Sequence, residues 1–145
     1  MQSLKDALAL NDSMVKQWIL HFYSDCAIMR KDFDEAEKRY SVGIRNYLEK
    51  GRQLDALIEL QGMIFALSGQ GRYMKALRIL GDVYAMYDDF GNSLPPVKFW
   101  MDWFEEYVNG ARKAVGEEKA AQYEQEGRQM GFEKAVEYAL DFEKD

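Results

Sequence analysis

A block of this chain recurs forty residues on, and that recurrence limits the possible folds more than any other feature. Phe33, Ala36, Tyr40, Tyr47 and Gly51 return as Tyr73, Ala76, Leu80, Tyr87 and Gly91. Upstream, Leu20 is matched by Leu60 and Ala27 by Leu67. A fixed period of this size marks an array of stacked helical units, because one unit cannot bury its apolar face alone. Two unrelated amphipathic helices would share aromatic and alanine positions by coincidence. They would not also keep helix-start aromatics and terminating glycines in one register.

The rest of the chain reads as helices of the same kind. Leu4, Ala7, Leu8 and Leu10 form a short apolar piece ending at Asn11, after which Asp12 or Ser13 caps a new helix. Val15, Trp18, Ile19, Phe22, Tyr23, Cys26 and Ala27 follow the spacing of one helical face. Asp32 and Glu35 have capping-box spacing before the helix that carries Ala36, Tyr40, Gly43, Ile44 and Tyr47. Gly51 suits the left-handed residue past its end. A third helix runs from Leu54 to Leu67 and closes at Gly69-Gln70-Gly71, and a fourth runs from Tyr73 to Tyr87. Asn92-Ser93-Leu94-Pro95-Pro96 is the longest break, and a fifth helix is expected from Pro96 to Val115. Glu117 to Glu126 reads as a shorter helix ended by Gly127, followed by a last helix with Phe132, Ala135, Val136, Ala139 and Leu140. No segment alternates with a period of two, so the fold class is all-α.

At 145 residues and 48% hydrophobic content the chain suits a single domain with a real core. The formal net charge of −6 argues against non-specific nucleic-acid binding, which depends on neutralising phosphates. Cys26 is the only cysteine. It excludes an intramolecular disulfide, favours a reducing compartment, and reads as a buried, inert thiol. Neither a secretory signal nor an apolar run long enough to span a bilayer is visible, so a cytoplasmic location is expected.

The forty-residue unit resembles tetratricopeptide (TPR) repeats. Phe33-Asp34-Glu35-Ala36 and Tyr73-Met74-Lys75-Ala76 look like the start of the second TPR helix, with Ala36 and Ala76 at the tight helix-crossing position. The unit exceeds the usual 34 residues and lacks the TPR proline, so the repeats are divergent. Val115-Gly116-Glu117, Glu126-Gly127-Arg128 and the run Phe132 to Leu140 are similar to the end of the TPR-like sensor region of bacterial signalling ATPases and transcriptional regulators. Gly131 departs from that ending, where a Ser or Thr cap is common. The resemblance implies a TPR-like α-solenoid of helix pairs at about 13–51, 53–91 and 96–127, with a closing helix at about 131–142. It also implies that the chain is the repeat region of a larger regulator. No phosphate-binding Gly-x-x-x-x-Gly-Lys-Ser/Thr loop is present.

In TPR arrays the first helix of each unit lines the concave groove. Carrying that register over from Ala36 and Ala76 places Trp18, His21, Asp25, Met29, Ile58, Gln61 and Phe65 in the groove, and makes Leu20, Ala27, Leu60 and Leu67 packing positions. The expected function is then non-catalytic protein–protein recognition or autoregulatory sensing. Alternatives are a small-ligand effector site built on Trp18, His21 and Phe65, and self-assembly into a dimer. The dense aromatic run Phe99, Trp100, Trp103, Phe104, Tyr107 supplies either core or an exposed interface through Trp100, Trp103 and Tyr107. No cofactor is implied. One histidine and one cysteine cannot close a zinc site. Adjacent carboxylates such as Asp88-Asp89, Glu105-Glu106 and Glu117-Glu118 point in different directions on a helix and make no acid–base dyad.

Overall fold

A computed structural model describes residues 5–6, 13–91 and 97–145. The expected N-terminal piece around Leu4, Ala7, Leu8 and Leu10, the Asp12 cap and the Asn92–Pro96 break lie outside the described residues. All regular elements among the described residues are helical: α1 (Ser13–Met29), α2 (Phe33–Glu49), α3 (Gln53–Gly69), α4 (Tyr73–Phe90), α5 (Lys98–Trp103), a π-helical turn (Phe104–Val108), α6 (Asn109–Val115), α7 (Glu117–Met130) and α8 (Phe132–Leu140). None is long and apolar enough to cross a membrane.

The repeat has a simpler origin in the backbone than a forty-residue unit. Left-handed residues stand at Lys31, Gly51, Gly71 and Gly91, with φ of 59°, 68°, 80° and 66°. At the first three, the next residue donates its N–H to a carbonyl five positions back. Asp32 bonds Ala27, Arg52 bonds Tyr47 and Arg72 bonds Leu67, each at 2.9 Å. This is a Schellman closure, which satisfies the orphan carbonyls at a helix end. The turn therefore recurs every twenty residues, once per helix. Asp32 also caps α2, its Oδ1 accepting from the Glu35 N–H at 3.3 Å.

Equal helices joined by equal turns set a fixed antiparallel register between α2 and α3. In that register glycines face large side chains: Gly69 lies under the Phe33 ring, Gly62 under the Tyr40 ring and Gly43 under the Glu59 carboxylate. Ala36, Tyr40, Ile44, Leu57, Leu60, Ile64 and Leu67 are fully buried around these contacts. The equivalent Ala76, Leu80 and Val83 are buried on α4.

The tightest crossing is between α4 and α7, where backbone meets backbone. A Cβ on Gly81 would overlap the Glu124 carbonyl oxygen, and one on Gly127 the Arg78 carbonyl oxygen. Gly127 thus does not end the helix, as its sequence context implied. It lies buried inside α7, which continues to Met130 and stops at Gly131. Beyond α8 the chain lies across the start of α4. Arg72 donates to the Phe142 and Lys144 carbonyls at 3.2 and 2.8 Å, and the buried Lys75 Nζ donates to Asp141 and Lys144 at 2.5 and 2.9 Å. Burial pulls the Lys75 ammonium down to about 8.

Helix α1 corrects two expectations. Cys26 is exposed rather than buried, and Leu20, matched to the buried Leu60, is 40% exposed. This helix buries a mostly polar face. Its Gln17, Ser24, Asp25, Ala27 and Ile28 face inward, while Val15, Trp18, Phe22 and Met29 face out.

Two stability predictions follow from the backbone. Lys31 is the one non-glycine in the left-handed turn, so Lys31→Gly is expected to stabilise by roughly 0.5–1 kcal/mol in chemical unfolding, since a side chain there crowds its own carbonyl. Gly127→Ala is expected to destabilise by about 1–3 kcal/mol, because no rotamer relieves an overlap with backbone. Gly110, which has open space around it, is the control: alanine there is expected to stabilise by up to about 1 kcal/mol.

Candidate functional site

The inward turn of α1 carries polar groups into a region that α2 and α3 line with apolar ones. His21 Nδ1 lies 2.7 Å from Glu59 Oε1 on α3, and His21 Nε2 lies 3.3 Å from Asp25 Oδ2 on the next turn of α1. Tyr40 on α2 donates its hydroxyl to Asp25 Oδ1 at 2.5 Å. The His21 ring meets Tyr40 edge-on at 6.1 Å between centroids and Trp100 of α5 at 5.4 Å. One imidazole is thus clamped between two buried carboxylates in an aromatic surround. Asp25 Oδ2 makes no hydrogen bond beyond the ion-pair contact with His21, and Glu59 Oε2 and the neighbouring Gln61 Oε1 have no hydrogen-bond partner.

Burial dominates the titration of this cluster. For His21, burial works against the charged ring, but the hydrogen bond and charge of Glu59 and the charge of Asp25 outweigh it and hold the pKa above the ordinary value. Burial raises Asp25, and His21 and Tyr40 recover only part of that shift. Burial raises Glu59 likewise, with His21 opposing it. Away from the cluster, Asp82 on α4 is pushed up to about 6 by burial, and its Oδ2 is unpartnered. All four groups hold protons more tightly folded than unfolded. Stability therefore falls as pH rises from the ordinary carboxylate range through the raised values.

The geometry restricts the chemistry. The two carboxylates face opposite nitrogens of one ring, so they do not converge on a common point as metal ligands must. Among the described residues no group of three His, Cys, Asp or Glu is disposed to hold a metal. The hydroxyl of Tyr40, whose ring packs on the imidazole, is spent on Asp25.

Residues singled out from the sequence divide into three groups. Trp18 and Met29 are 55% and 71% exposed on the outer side of α1. His21, Asp25 and Ile58 stand together, with His21 and Ile58 lining a small cavity beside Trp18, Tyr47, Asp55 and Glu59. Gln61 and Phe65 are buried, so neither lines an open groove. Phe65 packs on Trp100, Trp103 and Tyr107 at 5.3, 5.9 and 6.2 Å between ring centroids. The supposed groove wall and the supposed aromatic interface therefore close on each other. Trp100 is core rather than surface, and Trp103 and Tyr107 are half-buried. The π turn contributes to this closure: its extra residue per turn lets Phe104 reach Tyr84 while Tyr107 reaches Phe33.

Glu59 and Tyr40 were not among the candidates. Tyr40 reads as a packing residue from its repeat position. Glu59 had a signal, since it is a lone acid within the apolar run Leu57 to Leu67. Comparison of the chain with family models, with curated proteins and with solved structures finds no match.

Tyr40→Phe is expected to cost about 1–3 kcal/mol of unfolding free energy, because it leaves Asp25 Oδ1 without a donor. Tyr40 opposes the rise that burial imposes on Asp25, so its donor counts for most while Asp25 is ionised. The loss measured by urea unfolding is expected to be larger near about pH 8 than near about pH 4. Equal losses at the two pH values would contradict the assigned role.

Proposed function

We propose that the chain is a non-catalytic recognition module of TPR-like helical repeats, from a bacterial signalling or transcription-control protein, that binds a protein partner. The observation carrying this reading is the outward face of α1. Val15, Trp18, Phe22, Cys26 and Met29 are all exposed and are spaced three, four, four and three apart. That is the spacing of a helix–helix seam. A surface helix normally turns its apolar stripe to the core and its polar stripe to water. Here a polar stripe is buried on specific partners, and aromatic and sulfur-containing side chains are left in solvent. Contiguous exposed apolar surface of this sort marks a site for another protein, and a partner helix laid along α1 is the simplest occupant.

The recognition surface proposed is thus the outer side of α1, reached through Trp18 and Met29, in place of a groove through Gln61 and Phe65. A cytoplasmic location and the absence of catalysis belong to the same proposal. The single imidazole, held at both nitrogens, supports a structural role for His21.

Phe22→Glu tests this without disturbing the core, since Phe22 is 52% exposed. Burying a phenylalanine at an interface is worth about 1.5–3 kcal/mol, so partner affinity is expected to drop roughly 10- to 100-fold. Quantitative capture from the native cells, run with parent and variant side by side, should show a partner retained by the parent and lost by the variant. Light scattering on the purified proteins covers self-recognition, in which a parent dimer becomes a monomer in Phe22→Glu. Identical retention and identical mass in both proteins would refute the reading.

A further inference from the structure

Helix α1 stands forty residues before α3, so the two can be matched position by position. Trp18, Phe22, Cys26 and Met29 fall on Ile58, Gly62, Ala66 and Gly69. On α3 this face receives α2, which lays Tyr40 over Gly62 and Phe33 over Gly69. On α1 all four equivalents are exposed. The helix thus turns to solvent the surface that its counterpart buries against a neighbouring helix. The sizes are inverted, however. Phe22 and Met29 are large where α3 has glycine. Close packing tolerates neither overlap nor void. A helix seated on α1 therefore needs small residues opposite Phe22 and Met29, seven positions apart, where α2 presents Phe33 and Tyr40.

Charge narrows the occupant further. The chain has a formal net charge of −6, yet the charges that α1 and its closing turn offer to solvent are positive: Lys16, Arg30 and Lys31. The one acid of the helix, Asp25, is 4% exposed and is taken up by His21 and Tyr40. On α2, Arg39 lies over the Tyr23 ring and is paired with Glu35 at 2.9 Å, which leaves that pair neutral. Lys16 and Arg30 are fourteen positions apart, close to four helical turns, so both stand on one flank of the apolar stripe. The seam is apolar in the middle and positive along one border, in a molecule that is otherwise acidic.

We infer that the partner seated on α1 is an acidic amphipathic helix, antiparallel to α1, with two small residues seven apart opposite Phe22 and Met29 and carboxylates facing Lys16 and Arg30. This rests on the partner reading above and names what that partner presents. Complementary charge at the border of such a seam fixes the register and excludes wrong partners. A second copy of this chain does not meet these terms. Two α1 helices would set large side chains against Phe22 and Met29, and cation against cation whether parallel or antiparallel. An anionic lipid surface would meet the cations but is opposed by the net charge of the chain.

Fluorescence anisotropy of the full chain with stapled helical peptides of the length of α1, 17 residues, tests the assignment. The first peptide has leucines on its contact face, alanines at the two positions seven apart, and glutamates on one flank. A second has lysines for the glutamates, and a third has phenylalanines for the two alanines. The first is expected to bind in roughly the micromolar range, and each of the others about tenfold more weakly. Lys16→Glu combined with Arg30→Glu removes no core residue and is expected to reverse the preference between the glutamate and lysine peptides. Phe22→Glu is expected to weaken all three. Binding that Phe22→Glu weakens but that shows no preference among the peptides would overturn the inference and leave the partner reading standing. Binding unchanged by Phe22→Glu would sink both. The inference is also overturned if no peptide binds, or if the chain binds phosphatidylglycerol vesicles or a second copy of itself through Phe22 instead.

Discussion

A hydrogen bond that spans six residues, made at Asp32, Arg52 and Arg72, fixes where helices stop and in which direction the chain leaves them. Because it recurs at equal intervals, α2 and α3 have the same length and their faces meet in a constant register. Only in that register can Gly62 and Gly69 lie under Tyr40 and Phe33. A shift of one turn would set side chain against side chain and push the helices apart. The closure is local, but its consequence is tertiary: it brings Glu59 opposite Gly43, where no side chain blocks its approach to α1.

From that point the seat of α1 follows. Glu59 binds His21, and Tyr40 binds Asp25, so α1 is held by directional contacts rather than by the burial of its most apolar stripe. Such contacts give little net stability when complete, yet losing one partner is costly because the other is left buried. They do, however, define an orientation. An apolar face would tolerate some rotation about the helix axis, whereas an imidazole placed between two carboxylates does not. The shifts in this cluster express the same constraint: burial raises Asp25 and Glu59, and the two carboxylates together raise His21 against the effect of its own burial.

Much of this was legible in the sequence, and the exceptions share a cause. The helices, their left-handed glycine ends, the Asp32 cap and the buried Ala36, Ala76, Leu60 and Leu67 follow from local chemistry and periodicity. Lys31 and Asp32 read from the sequence as the end of one helix and the start of the next, but the left-handed backbone at Lys31 has no glycine to announce it. Trp18, Phe22 and Cys26 show the limit of periodicity most clearly. The spacing places them on one face but is silent about which way that face points, and the usual assumption that the apolar side turns inward fails when polar groups find buried partners. Gly127 was legible as a helix-breaking residue, but its role depends on the Arg78 carbonyl, which lies far away in sequence. Phe65 and Trp100 belonged to separate hypotheses until the fold placed one ring against the other.

The orientation of α1 decides what the helix offers to another molecule. It stands at the edge of the helical array, where one side faces the cluster and the other faces solvent. Trp18 stands at the boundary, exposed along the seam and also lining the small cavity beside His21. A partner helix along Val15, Phe22 and Met29 would cover that boundary and hold α1 against α2 and α3 from outside. Under mass action it would raise the stability of the folded arrangement by an amount set by its affinity and concentration. That coupling needs no rearrangement of the fold, only the fixed seat that His21, Asp25, Tyr40 and Glu59 already provide.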